Sequence, residues 1–193
     1  RWTGDWSSDV CSSDLVCVYV YVKWFRSQTY YDQVKWRGDP EISGGGAVMN
    51  QAIHSVDLLR WMMGEVKEVS AFSAMLGHHD LDVEDTAVAT LRFENGALGV
   101  IEASTAVFPG SYKRMEILGT GGSVITEEET IVIWEFSEES DLDNEIRLRF
   151  SGEETVGGGV TDPKAIKDTG HIRQISDMVE ALETGRPPVI DAE

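Results

Sequence analysis

Basic residues are scarce in this chain: 16 Lys and Arg stand against 34 Asp and Glu, a formal charge of −18 over 193 residues. A surface so acidic repels phosphate backbones, which argues against nucleic acid as a partner. Cysteine is nearly absent, with Cys11 and Cys17 close together near the start, so no disulfide framework is available and a reducing, cytoplasmic setting is expected. No apolar run approaches the roughly 20 residues that a membrane span needs. Arg1-Trp2-Thr3-Gly4-Asp5 lacks the basic-then-apolar order of a secretory signal. What is present is an ordinary globular balance, 41% hydrophobic and 26% charged, in a chain of about one domain.

Asp5 to Leu15, DWSSDVCSSDL, shows no helical period, no alternation and no turn logic. It is similar to the translation of a short-read sequencing adapter, the other reading being a flexible Ser/Asp-rich leader. Residues 1–15 are therefore expected to carry no fold information, with the native start and end of the gene lying beyond the chain. From residue 16 the pattern changes. Val16-Cys17-Val18-Tyr19-Val20-Tyr21-Val22 alternates strictly, the period of a half-buried strand. Residues 27–46 read as a long polar, Gly-rich loop. A helix is expected over about Ala47–Met63, stopped by Gly64. Strands are expected at Val66–Leu76, Ala87–Phe93, Ala97–Thr105, Lys113–Leu118, Ser123–Thr126, Thr130–Phe136 and Ile146–Phe150. Glu94-Asn95-Gly96 signals a hairpin and Gly119-Thr120-Gly121-Gly122 another turn. Ser137–Glu145 reads as an acidic connection and residues 157–159 as a Gly-rich loop. The 172–183 stretch has its apolar residues at helical spacing. The class predicted is α+β, an open and mostly antiparallel sheet with flanking helices.

In the helix, Asn50, His54, Asp57 and Trp61 follow one another at steps of four, three and four, and so share one stripe of an otherwise apolar element. Buried polar groups need partners or a cavity. Spacing alone favours a hydrogen-bonded structural histidine. The surrounding residues shift that balance. Ser43-Gly44-Gly45-Gly46 through Asn50, His54, Asp57 and Trp61 resembles the signature helix of the Gfo/Idh/MocA oxidoreductases. Tyr30-Tyr31-Asp32-Gln33-Val34-Lys35-Trp36-Arg37-Gly38 resembles the preceding loop of that family. The Gly119–Ser123 turn and Gly170-His171-Ile172-Arg173-Gln174 resemble its C-terminal domain. The likeness spans residues 16–193, read as a truncated C-terminal substrate-binding domain. The family's N-terminal Rossmann domain has no counterpart here, and neither has its Glu-Lys-Pro segment.

The resemblance implies an oxidoreductase using NAD or NADP, bound mainly by the missing domain, on a sugar, cyclitol or nucleotide-sugar substrate. An imidazole can take the hydroxyl proton and return it, and His54 holds that place in the family. Asn50 stands where many members have Asp, which weakens a carboxylate–histidine dyad; it can orient substrate or ring. Asp57 can set the ring tautomer or make a structural ion pair. Tyr31, Lys35, Trp36, Arg37 and Tyr112 are candidates for substrate binding, each with loop packing as the other reading. Tyr30 and His171 are open in the same way. Two other functions compete. The domain could be a catalytically inert sheet that serves oligomerisation, and the resemblance implies a homo-oligomer through the sheet. Alternatively, His78 and His79 beside Asp80, Asp82, Glu84 and Asp85 could ligate a metal in a hydrolase, against which an exposed acidic loop is the plainer expectation.

Overall fold

The computed structural model describes residues 14–128, 130–150 and 169–189. Seven strands form one sheet in the order β2-β3-β4-β1-β5-β6-β7. They are β1 (Leu15–Lys23), β2 (Val66–Ala74), β3 (Thr86–Phe93), β4 (Leu98–Ser104), β5 (Arg114–Gly119), β6 (Gly122–Glu127) and β7 (Thr130–Phe136). The alternating run at the start of the sequence becomes the central strand. Val18, Val20 and Val22 are fully buried on one face of β1, and Cys17, Tyr19 and Tyr21 alternate onto the other. Each buried valine stabilises by about 1.5–3 kcal/mol relative to exposure, and a one-residue slip would turn all three out of the core. The strand therefore holds its register.

Five of the six strand pairings are antiparallel; β1 and β4 run parallel. A parallel pair requires a long crossover, and here it is everything between residues 24 and 97. That crossover carries the helices α1 (Gln28–Asp32), α2 (Pro40–Ser43) and α3 (Ile53–Met63). The 27–46 segment is thus not the uninterrupted loop its composition suggests. Ser27 caps α1 through its side chain, a 3-10 turn follows at Lys35–Gly38, and Asp39 caps α2 with Pro40 at its first position. Caps and a proline at N1 are enough to start a turn of helix in a polar segment. α3 is continuous with a preceding π-helical turn at Val48–Ala52, so the helical segment as a whole begins near Ala47 as expected. Gly64 ends it with φ 83°, its N–H bonded to the Arg60 carbonyl at 2.9 Å. Ala47, Ala52, Leu59 and Met63 pack on Val18, Val20, Leu91, Phe93, Ile101, Ala103 and Met115, so the core lies between this helix and one face of the sheet.

The Asn95-Gly96 hairpin joins β3 to β4, with Gly96 at φ 90° and Asn95 Oδ1 accepting from the Ala97 N–H. One strand expectation is overturned. Residues 146–150 end a helix, α4 (Asp141–Phe150), rather than forming a strand. Ile-Arg-Leu-Arg-Phe alternates, yet Leu148 is 85% exposed, so no sheet face claims its apolar residues. Asp141 and Asp143 at the start and Arg147 and Arg149 at the end suit the helix dipole. Asp143 accepts from the Ser140 N–H and the Trp134 indole. These two hydrogen bonds hold its carboxyl below the usual range. The last helix, α5 (Thr169–Thr184), is longer than its apolar spacing suggested. The expected leader up to residue 13 and the Gly-rich loop at 157–159 lie outside the described residues. No helix among the described residues is long and apolar enough to cross a membrane.

Candidate active site

The polar stripe of α3 faces away from the sheet. Asn50, His54 and Asp57 are exposed, and Trp61 is 68% exposed. His54 is therefore an accessible imidazole and not a packed one. The stripe does not form the dyad that the spacing allowed. Among the described residues, neither Asn50 nor Asp57 bonds the His54 ring. The Asn50 amide instead donates to the Gly45 and Gly46 carbonyls at 2.5 and 3.2 Å. The π turn explains this. It places an extra residue in the first turn, so Asn50 belongs to the helix start while His54 belongs to the regular helix that follows.

An acid distant in sequence anchors that start. The Glu84 carboxylate accepts from the N–H groups of Gly46 and Val48 at 3.1 Å each, and its carbonyl from Ala47 N–H at 2.9 Å. Three orphan donors at a helix N-terminus are thereby satisfied by one residue whose negative charge suits that end. The chains meet so closely that a Cβ at Gly46 would collide with the Glu84 carbonyl; glycine is required there for space.

Next to it, Asp85 is fully buried. Its carboxylate accepts from the N–H groups of Leu76, Gly77 and His78 at 2.8–3.0 Å and meets His78 Nδ1 at 2.9 Å. Burial alone would raise this carboxyl. The backbone bonds from Leu76 and Gly77, with side-chain bonds from His78 and Thr86, outweigh burial and hold it below the ordinary range. The 78–85 segment is thus not simply an exposed acidic loop: its two ends are buried structure. His78 lies inside, with Nε2 at 2.8 Å from the Arg26 carbonyl, whereas His79 points outward, paired with Asp80. Both His78 nitrogens are occupied by protein atoms. Among the described residues no three His, Cys, Asp or Glu side chains converge as a metal site would need.

The loop after β1 packs on the same region. Tyr31 is buried, its hydroxyl 2.8 Å from Thr105 Oγ1 and its ring against His78; burial pushes that hydroxyl's pKa up. Tyr31 thus packs the loop and offers no free hydroxyl. Arg37 lies half-buried over the Tyr30 ring, 3.9 Å from its centre, and Arg26 flanks the same ring at 5.6 Å. Arg26 in turn reaches Gln51 Oε1 at 3.2 Å, one turn before His54. Lys35 is exposed and Trp36 is 43% exposed. Tyr112, 47% exposed, follows the loop that Ser111 ties to the end of β1 through the Lys23 carbonyl. His171 is exposed on α5. The structure brings the 26–37 loop and the start of the His54 helix together at the end of the sheet where β1 and β4 run out. Sequence reasoning missed Arg26 and Gln51, and the roles of Glu84 and Asp85, which it weighed only as metal ligands. The only linear trace is a pair of carboxylates immediately before an alternating run, and nothing in it names the donors they serve.

The described geometry has counterparts. The profile of the GFO/IDH/MocA C-terminal domain matches residues 14–125. The chain is 29% identical over 157 residues to myo-inositol 2-dehydrogenase of Thermotoga maritima, covering 77% of this chain and 42% of that protein. It is 30% identical over 115 residues to levoglucosan dehydrogenase of Pseudarthrobacter phenanthrenivorans, covering 48% of this chain and 30% of that protein. Among solved structures, the WlbA dehydrogenase of Bordetella pertussis, in complex with NADH and UDP-GlcNAcA, superposes with a TM-score of 0.75 at 33% identity. That match covers 91% of this chain and 49% of that one. The chain spans about half the length, or less, of the proteins it matches. With the sheet order, the signature helix and the matched profile in agreement, the chain belongs to the GFO/IDH/MocA family, of which it carries the C-terminal domain.

Proposed function

We propose that this chain is the substrate-binding part of an NAD- or NADP-dependent dehydrogenase that interconverts a CH–OH group and a carbonyl on a sugar, cyclitol or nucleotide sugar. The observation that carries the reading is the exposure of His54 on a helix whose start is locked in place. The names of the relatives support the substrate class: one acts on inositol, one on levoglucosan, and one is bound to UDP-GlcNAcA. The cofactor supplies the hydride chemistry. The start of the His54 helix already holds the Glu84 carboxylate, so the cofactor's phosphates are proposed to bind elsewhere in the enzyme.

His54 takes the proton of the substrate hydroxyl on oxidation and returns it on reduction. Asp57, about one turn later, and the Oδ1 of Asn50, whose amide nitrogen is held by the Gly45 and Gly46 carbonyls, are proposed to face the substrate. Lys35, Trp36, Arg37 and Tyr112 are proposed to border it, with Tyr31 holding the loop from beneath. In the full-length enzyme, His54→Ala should lower kcat by about 10²–10⁴ with the fold retained. Turnover within about tenfold of wild type would remove His54 from this role. Assays with myo-inositol and with a UDP-linked sugar acid separate the two substrate classes.

A further inference from the structure

We propose that His78 is a buried imidazolium, protonated on both ring nitrogens, and that it serves as a positioning residue for the His54 helix through Arg26 and Gln51. The proposal rests on the dehydrogenase reading for its kinetic consequence but not for the protonation state. His78 is 3% exposed in its side chain, and Asp85 not at all. Nδ1 faces Asp85 Oδ2 at 2.9 Å, and Nε2 faces the Arg26 carbonyl at 2.8 Å. A carbonyl oxygen can only accept. An ionised carboxylate can only accept. A neutral imidazole has one N–H and would leave one of these contacts as two opposed lone pairs, so both nitrogens must carry hydrogen. Asp85 stays ionised because it already accepts from three backbone N–H groups, which a protonated carboxyl could not do as well. The groups that meet the ring are Asp85 at the start of β3, the Tyr31 ring from α1 at 4.8 Å between centroids, and the Arg26 backbone after β1.

The link to the helix is continuous. Arg26 is clamped on both sides of its backbone: its N–H donates to the Thr105 carbonyl at 2.9 Å and its carbonyl receives His78. Its side chain, 2% exposed with the rest of the residue, stacks between Trp24 and Tyr30 and donates both to the Phe25 carbonyl at 2.8 Å and to Gln51 Oε1 in the π turn. The His78 Nε2–H therefore helps fix the Arg26 backbone, and the Arg26 side chain reaches the turn that precedes His54. Misplacing a catalytic group by about 1 Å costs on the order of a hundredfold in rate.

The test labels histidine with ¹⁵N in the full-length enzyme and identifies the His78 signals by their loss in His78→Gln. Both ring nitrogens should show one-bond N–H couplings at pH 7. A bare nitrogen at either position at pH 7 overturns the protonation assignment. For positioning, Gln51→Ala should lower kcat about ten- to a hundredfold with KM nearly unchanged. Gln51→Glu, which still accepts from Arg26, should restore it. Unchanged kcat in Gln51→Ala, or failure of Gln51→Glu to rescue, overturns the link. Were the enzyme to turn over no CH–OH substrate at all, the dehydrogenase reading would fall while the nitrogen spectrum still decided the state of His78.

Discussion

Asp85 shows what a single residue does here that no local pattern announces. It satisfies three backbone donors and a histidine within the protein interior. Removing its charge leaves those donors facing an amide, and breaking a buried charged pair costs about 3–5 kcal/mol. Asp85→Asn should therefore lower the unfolding free energy by about that amount in urea titrations. A loss below about 1 kcal/mol would show that the network relaxes around the change. The pH dependence has a definite sign. Because the folded carboxyl is held below its ordinary value, its stabilisation is fully present above about pH 4, where the unfolded chain ionises. It is lost as the pH falls through the depressed folded value. Wild type should thus lose stability on acidification below about pH 4 more steeply than Asp85→Asn does.

At the scale of the element, the helix that carries His54 depends on Glu84 more than on any cap of its own. It has no side-chain N-cap, and its first N–H groups are met from across the fold. Glu84→Ala leaves two charge-assisted hydrogen bonds unmade, each worth about 1.5–3 kcal/mol. Circular dichroism melts should show a clear loss of stability, and hydrogen exchange should quicken at residues 46–52 ahead of the rest of α3. Exchange unchanged in that turn would mean that the core contacts of Ala47 and Ala52 hold it unaided. The extent of α3 was legible in its apolar spacing and in Gly64. The π turn was not, because it arises from how the helix start meets Glu84 and Gly45, which lie outside any periodicity. Residues 146–150 mislead for the related reason that a short alternating run becomes a strand only where a sheet edge accepts it.

For the whole molecule, the sheet divides two roles. One face is covered by α3. The other presents Cys17, Tyr19 and Tyr21 of the central strand, with Tyr19 and Tyr21 stacked 6.3 Å apart. That face is the proposed surface for self-association. Tyr19 sits opposite Glu116, so Tyr19→Glu sets like charges side by side and should shift the protein toward monomer in light scattering. A wild-type protein that is monomeric at every concentration would sink this expectation. The helix start filled by Glu84 carries a second prediction. This domain by itself should bind neither NADH nor NADPH in calorimetric titrations, whereas the full-length enzyme should bind one of them. Tight binding by the isolated domain would overturn the division of labour proposed above.

Local pattern was sufficient for the strands from residue 15 to 136, for the span of the His54 helix and for the family signature. Each of these is written in residues close together in the chain, through period, turn chemistry or spacing. Only the tertiary structure decided that β1 lies at the centre beside a parallel β4, that His54 is exposed with no hydrogen-bond partner among the described residues, that Glu84 meets the start of its helix, and that Asp85 and His78 pair in the interior against the Arg26 carbonyl. Apart from the neighbouring His78–Asp85 pair, those contacts join residues 25 to 81 positions apart. Side-chain chemistry states which groups need partners, but the choice among distant candidates is made by which backbone groups the packed sheet brings within hydrogen-bonding reach.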